Sequence, residues 1–164
     1  METETTRLSD LNIKHGLKTD MGDDFSSVLE KVFLSDIIVF ATPIWWGSPS
    51  SLIQKFIERM HETDNEYMVT GKSRLYHKVS GIVVTGHEDG AQNVIGVLAN
   101  ALTWYGFVLP PECAAYWVGE SGIMPMDQDS EKIKNSQSAL MMADKLAENL
   151  YNYASLIKSN KDKL

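Results

Sequence analysis

The sequence predicts an α/β fold in which helices cover both faces of a parallel sheet, and two observations carry that prediction. First, IIVFA (residues 37–41) and VSGIVVT (79–85) are β-rich apolar runs without the polar alternation of a strand that has one wet face. Second, each run is followed by a glycine-containing loop and then by apolar residues at helical spacing. The 164 residues suffice for one enclosed core, so a single domain over residues 1–164 is expected.

Taken in order, residues 5–13 (TTRLSDLNI) alternate weakly around Leu8, Leu11 and Ile13 and read as a short strand, followed by a polar loop over 14–24. Asp23 and Asp24 are acidic caps for a helix with Phe25, Val28, Leu29, Val32 and Phe33 on one face. IIVFA is then a central strand, and after the loop TPIWWGSPS a helix begins, capped by Ser50 or Ser51. It carries Leu52, Ile53, Phe56, Ile57 and Met60 on one side.

Residues 61–78 show no sustained period and read as connecting chain up to the second apolar strand. The loop GHEDGAQ leads into a helix from about Asn93 to Tyr105, which Gly106 stops. Pro110 and Pro111 sit at the start of the next strand, FVLPPECAAYWVG, where a missing N–H is tolerated. A closing amphipathic helix is expected from Ser130 to about Leu156.

Composition narrows the function classes. A net charge of -7 argues against nucleic-acid partners, which demand clustered cations, and Lys158, Lys161 and Lys163 read as a solvated tail. The single cysteine, Cys113, permits neither an internal disulfide nor a thiolate metal site, which fits a reducing compartment, and the cytoplasm is expected. The amino-terminal stretch METETTRLSD has no signal-peptide character, and no membrane partner is expected.

In an open parallel sheet the ligand crevice lies beyond the carboxyl ends of the strands, which directs attention to the loops after IIVFA and VSGIVVT. The first places Pro43, Trp45, Trp46 and Gly47 where small polar residues would serve an ordinary turn. Two indoles could stack on a flat ring, and Gly47 could let backbone N–H groups approach it. The alternative is that one tryptophan packs beneath the loop. In the second loop Gly86 and Gly90 flank His87, Glu88 and Asp89, and His87 reads as a solvated loop residue with no catalytic role. No catalytic residue and no metal site are assigned.

These segments resemble a known family. ATPIWWGSPSSLIQKFIERM looks like the second flavin loop and following helix of flavodoxin-like NAD(P)H-dependent FMN reductases and related quinone reductases. VVTGHEDGAQNVIGVLANALTWYGF looks like their third flavin loop and helix, and YWVGESG like their last strand and turn. The resemblance implies a three-layer flavodoxin-like parallel sheet with FMN and NAD(P)H as cofactors. Thr42, Pro43, Ile44, Trp45, Trp46 and Gly47 would border one side of the flavin ring, and Thr85, Gly86, His87, Gly90 and Gln92 the other. Hydride would pass from the nicotinamide through the flavin to a quinone, free flavin or other small-molecule acceptor. Homo-oligomers are common in the family, which makes Tyr67, Tyr76, Trp104 and Tyr116 candidate subunit contacts.

The departure from the family pattern is at the start. Such proteins open with an apolar strand, a Ser/Thr/Gly/Asn-rich phosphate loop and a helix, and none of these precedes Thr5. RLSDLNI is similar to the family's second strand, so an N-terminally truncated sheet of about four strands is expected, with RLSDLNI either in its usual place or paired directly with IIVFA. FMN binding is accordingly expected to be weak or absent in this chain. Two other readings remain: a cofactor-free flavodoxin-like interaction domain, and a hydrolase built on Ser48, His87 and Asp89. The hydrolase lacks a Gly-x-Ser-x-Gly elbow.

Overall fold

The computed structural model describes residues 2–87, 89–119 and 129–160. Its sheet has four strands in the order β2-β1-β3-β4, with β1 spanning Ile37–Trp45, β2 Ser48–Pro49, β3 Val79–Gly86 and β4 Ala114–Val118. β1 and β4 both run parallel to the central β3, while β2 is a short antiparallel return paired only with Ile44 and Trp45. The helices are α1 (Phe25–Leu34), α2 (Ser51–Arg59), α3 (His61–Thr70), α4 (Ala91–Trp104), α5 (Asp129–Asn135) and α6 (Gln137–Ser159).

The main core lies on one face, where Phe25 and Leu29 of α1, Ile53 and Phe56 of α2 and Val94, Leu98 and Leu102 of α4 meet Phe40, Ile44, Ile82 and Val84 of the strands. Edge-to-face contacts of Phe40 with Phe107 and of Phe25 with Phe56 fill the larger gaps. On the opposite face α6 packs Leu146 and Leu150 against Val79 and Ala115. Gly81 permits that approach, because a Cβ there would stand 3.0 Å from both leucine side chains.

Four expectations are corrected. Residues 5–13 form no strand: Leu8–Asp10 is a single 3-10 turn, and Ile13 is buried in the main core. The backbone there bonds to side chains instead of a ladder, Asn12 N donating to Asp24 Oδ2 and Lys14 N to Asp23 Oδ2. These two aspartates thus anchor the preceding chain, and Asp24 makes no side-chain cap to α1. The fourth strand is the β2 return, so RLSDLNI occupies neither of the positions considered for it.

The second correction concerns β1, whose two faces are not both covered. Phe40, Thr42 and Ile44 are buried, but Val39 on the α6 side remains 47% exposed and Ala41 and Pro43 are exposed beside it. α6 lies over β3 and β4, and of the β1 side chains Ile37 joins its apolar cluster. Third, residues 61–70 are helical with only Thr63 buried, which explains why no apolar period marks them. Fourth, the closing helix is two, broken at Ser136, whose hydroxyl accepts from Ala139 N to cap α6.

Among the expected contact aromatics Tyr116 packs against the main core, while Trp104 at the end of α4 is 82% exposed and the Tyr67 and Tyr76 rings lie 5.6 Å apart. Gly106 ends the α4 segment in the left-handed region at φ 94°. Lys158 meets Asp36 across 3.4 Å, whereas Lys161 and Lys163 lie outside the described residues. Among the described residues no helix is long and apolar enough to cross a membrane.

Candidate flavin site

The carboxyl ends of β1 and β3 are adjacent, Pro43 standing opposite Thr85 in register, so the loops that follow them start side by side. β1 turns into β2 through two consecutive left-handed residues, Trp46 at φ 50° and Gly47 at φ 72°. A two-residue hairpin loop with both φ values positive is a type I′ geometry, for which Asn-Gly is the usual choice. A tryptophan in that conformation costs roughly 1–2 kcal/mol of backbone strain, so surrounding contacts must hold it.

Those contacts come from the second loop. Gly90, at φ 120°, packs so tightly that a Cβ on it would lie 2.6 Å from Gly47 Cα. Asn93, in the first turn of α4, donates from Nδ2 to Gly47 O at 2.8 Å. Deeper down, a Cβ on Gly86 would meet Ile44 Cβ at 2.8 Å, so β3 and β1 are also in close contact where they leave the sheet.

The residues named from sequence divide into three groups. Thr42 and Ile44 are buried. Thr42 Oγ1 donates to Ser50 Oγ and accepts from Ser50 N, each at 3.1 Å, and Ser50 Oγ caps α2 by accepting from Ile53 N. Their role is to set the loop from within. Trp45 and Trp46 are 57% and 87% exposed, so neither indole is packed beneath the loop. Pro43 and Gln92 are exposed, and Thr85, Gly86, His87 and Gly90 are half-buried.

His87 is no solvated loop residue. Its Nε2 is paired with Asp129 Oδ2 at the start of α5, and its ring stands edge-on to Trp117, centroids 5.7 Å apart. Asp129 Oδ1 is buried without a hydrogen-bond partner among the described residues. Ser48 belongs to β2, and Asp89 Oδ1 accepts from Gly90 N, so Asp89 shapes its own loop instead of orienting the histidine. Sequence reading missed Asp129, because it lies 42 residues beyond His87 with no local spacing to connect them. It missed Asn93 for a similar reason, since its partner is 46 residues away. Glu88 and the end of the YWVGESG segment, residues 120–122, lie outside the described residues.

Cys113, just ahead of β4, is half-buried, and burial pushes its thiol above the ordinary value, which favours an inert side chain. Among the described residues no group of three or more His, Cys, Asp or Glu side chains could hold a metal ion.

What these loops offer is a flat aromatic platform beside glycine-lined backbone, and that fits a planar heteroaromatic ring. Residues 1–120 match the sequence profile of the NADPH-dependent FMN reductases. The chain belongs to this family. It is 35% identical over 136 residues to 8-demethyl-8-aminoriboflavin-5'-phosphate synthase of Streptomyces davaonensis, a match covering 76% of the chain and 53% of that protein. The chain thus spans about half the length of this curated relative.

Among solved structures it is similar to RosB with bound 8-demethyl-8-formylriboflavin-5'-phosphate, with a TM-score of 0.85 and 29% identity over 96% of this chain and 67% of that one. The Trp repressor binding protein of Bacillus subtilis shares the fold at a TM-score of 0.56 and 23% identity, covering 75% of this chain and 71% of that one. The family is that of the NADPH-dependent FMN reductases, and RosB shares the sheet architecture described above.

Proposed function

We propose that this chain carries the ring-binding half of a flavin site and serves hydride transfer from NAD(P)H, through FMN, to a small acceptor such as a quinone or free flavin. The observation that carries this reading is the contact between the two loops at the carboxyl ends of β1 and β3, with Gly90 against Gly47 and two exposed indoles beside them. FMN, when bound, supplies the hydride-accepting and hydride-donating chemistry.

In this reading the chain's own residues orient and shield. Trp45 and Trp46 give an apolar platform, and the backbone at Gly47, Gly86 and Gly90 admits ring heteroatoms without side-chain interference. Gln92, exposed in the first turn of α4, offers an amide at the rim. The His87–Asp129 pair ties the β3 loop to α5 and keeps that wall in place.

The phosphate is a separate matter. The two ring-facing loops, residues 42–50 and 85–92, contain no Lys or Arg to pair with a phosphate. We propose that FMN therefore binds weakly here, since each charge-assisted hydrogen bond to a phosphate contributes about 1.5–3 kcal/mol. Parallel titrations with FMN and with lumiflavin, which has the ring and no phosphate, test both statements. Similar, weak affinities support them. Tight stoichiometric FMN refutes the weak-grip proposal, and binding of neither refutes the flavin site.

The open outer edge of β1 favours a second reading, a cofactor-free interaction domain that pairs through this strand, alone or as a homo-oligomer. A chain that binds no flavin but associates in a manner abolished by a charge at Val39 would select it. Cytoplasmic residence is proposed with the first reading, as befits a lone, half-buried thiol.

A further inference from the structure

We infer that Asn93 is a positioning residue of the flavin site: its side chain locks the Trp45–Ser48 turn to the start of α4, so that the two ring-facing loops act as one rigid unit. The inference rests on the flavin reading above. Nothing in the sequence pattern singles out this residue, which stands on the exposed side of the first turn of α4.

Three features of the geometry support it. The turn contains a bulky residue, Trp46, in the left-handed region, a conformation that tryptophan does not hold unaided. The next residue, Gly47, is gripped from two directions, Asn93 Nδ2 donating to its carbonyl oxygen at 2.8 Å and Gly90 packing against its Cα. The van der Waals contact limits how near the turn can come, and the hydrogen bond limits how far it can go. Together they fix the height of the Trp46 indole above the β3 loop.

A merely structural role for Asn93 predicts something different. At the third position of a helix a carboxylate interacts favourably with the macrodipole and alanine has a higher helix propensity than asparagine, so neither Asn93→Asp nor Asn93→Ala weakens α4 itself. Yet Asp is nearly isosteric with Asn and cannot donate to Gly47 O when ionised, so both substitutions release the turn.

The experiment compares the unmodified chain with Asn93→Ala and Asn93→Asp in two measurements, each with a thermal melt as the stability control. Hydrogen exchange of the Trp46–Ser48 amides without flavin is expected to rise about fivefold or more in both variants. Lumiflavin titration is expected to show several-fold weaker binding in both, with the melting temperature of Asn93→Asp unchanged or raised. Exchange unchanged in either variant overturns the lock, as does lumiflavin affinity unchanged in a loosened turn. Failure of the unmodified chain to bind lumiflavin overturns the flavin reading and Asn93's part in it, and exchange alone then decides whether Asn93 sets the turn.

Discussion

The carboxylate of Asp23 and the guanidinium of Arg59 form a two-pronged ion pair, Nη1–Oδ2 at 2.5 Å and Nη2–Oδ1 at 3.1 Å, with no solvent exposure of either side chain. The remaining donors of Arg59 reach the carbonyl oxygens of Lys14, Lys18 and Thr19, and its guanidinium lies 4.5 Å from the Phe25 ring centroid. A single charged residue at the end of α2 therefore organises the whole polar loop between the 3-10 turn and α1. The backbone there forms no ladder, and Arg59 supplies hydrogen-bond donors to three of its carbonyls.

Arg59→Met should accordingly be among the most damaging single substitutions in the chain. It leaves Asp23 as an uncompensated buried charge and frees three carbonyls, and breaking such a pair from one side costs about 3–5 kcal/mol. Arg59→Lys should recover little, because an ammonium cannot present the planar fork. Urea unfolding measures both, and an Arg59→Met midpoint close to the parent's would show that the loop contributes nothing to stability.

Acid should act through the same pair. The Arg59 hydrogen bonds hold the Asp23 carboxyl well below the usual carboxylate range, against the opposing effect of burial. The unfolded chain titrates this group near the ordinary value of about 3.9. Above that pH both states are ionised and the full contribution is present; below it the unfolded state takes up the proton first, so stability falls continuously as pH drops toward the folded value. Glu62, lowered by the Thr19 N–H, adds in the same direction. Urea midpoints between about pH 6 and pH 2 should fall less steeply for Asp23→Asn than for the parent, whose stability starts higher. Parallel slopes would remove Asp23 from the account.

Much of this was legible in the sequence, and the failures have physical causes. Strands β3 and β4, helices α1, α2 and α4, and the Gly106 stop follow from apolar period and turn chemistry, which are local. The uncovered face of β1 was not legible, because IIVFA reads alike whether or not a helix lies above Val39. Arg59 was invisible for the opposite reason: its burial is determined by carbonyls at Lys14, Lys18 and Thr19, some 40–45 residues away. The two glycine-containing loops do follow adjacent strands, but the Asn93 and Asp129 contacts that fasten them span two elements each.

Gly106 offers a sharp test of local packing. A Cβ there would lie 2.2 Å from the edge of the Tyr76 ring, and the backbone is left-handed besides. Gly106→Ala must displace Tyr76 and strain the turn, with an expected cost of about 2–4 kcal/mol. Thermal melts of Gly106→Ala and of the double variant with Tyr76→Ala separate the two terms. The ring removed, only the backbone strain should remain, and equal losses with and without the ring would show that the clash does not occur.

Trp46 should behave in the reverse manner, important to ligand and not to fold. Its indole is largely solvent-exposed, so Trp46→Leu should change stability by no more than about 0.5 kcal/mol. In the flavin reading the same change removes most of the stacking platform and should weaken lumiflavin binding about tenfold, by analogy with the 1–3 kcal/mol per base found for aromatic stacking in nucleic-acid sites. A stability loss of several kcal/mol, or undiminished lumiflavin binding, would contradict the assignment.

The outer edge of β1 yields the last prediction. Val79 N donates to Asp36 O, so the backbone groups of residues 36, 38, 40 and 42 point toward β3, and those of Ile37, Val39 and Ala41 point away from the sheet. Among the described residues no strand pairs with them, and Pro43, which has no N–H to offer, sits on the same outward side, where its missing donor costs no ladder bond. An unpaired apolar strand edge is a template for another chain, and an added charge is the usual means of blunting it. Val39→Lys should therefore reduce concentration-dependent association, read by sedimentation velocity, while leaving the urea midpoint within about 0.5 kcal/mol of the parent because the side chain is already half in water. Association that persists unchanged in Val39→Lys would place the contact elsewhere, with the exposed Trp104 the next position to charge.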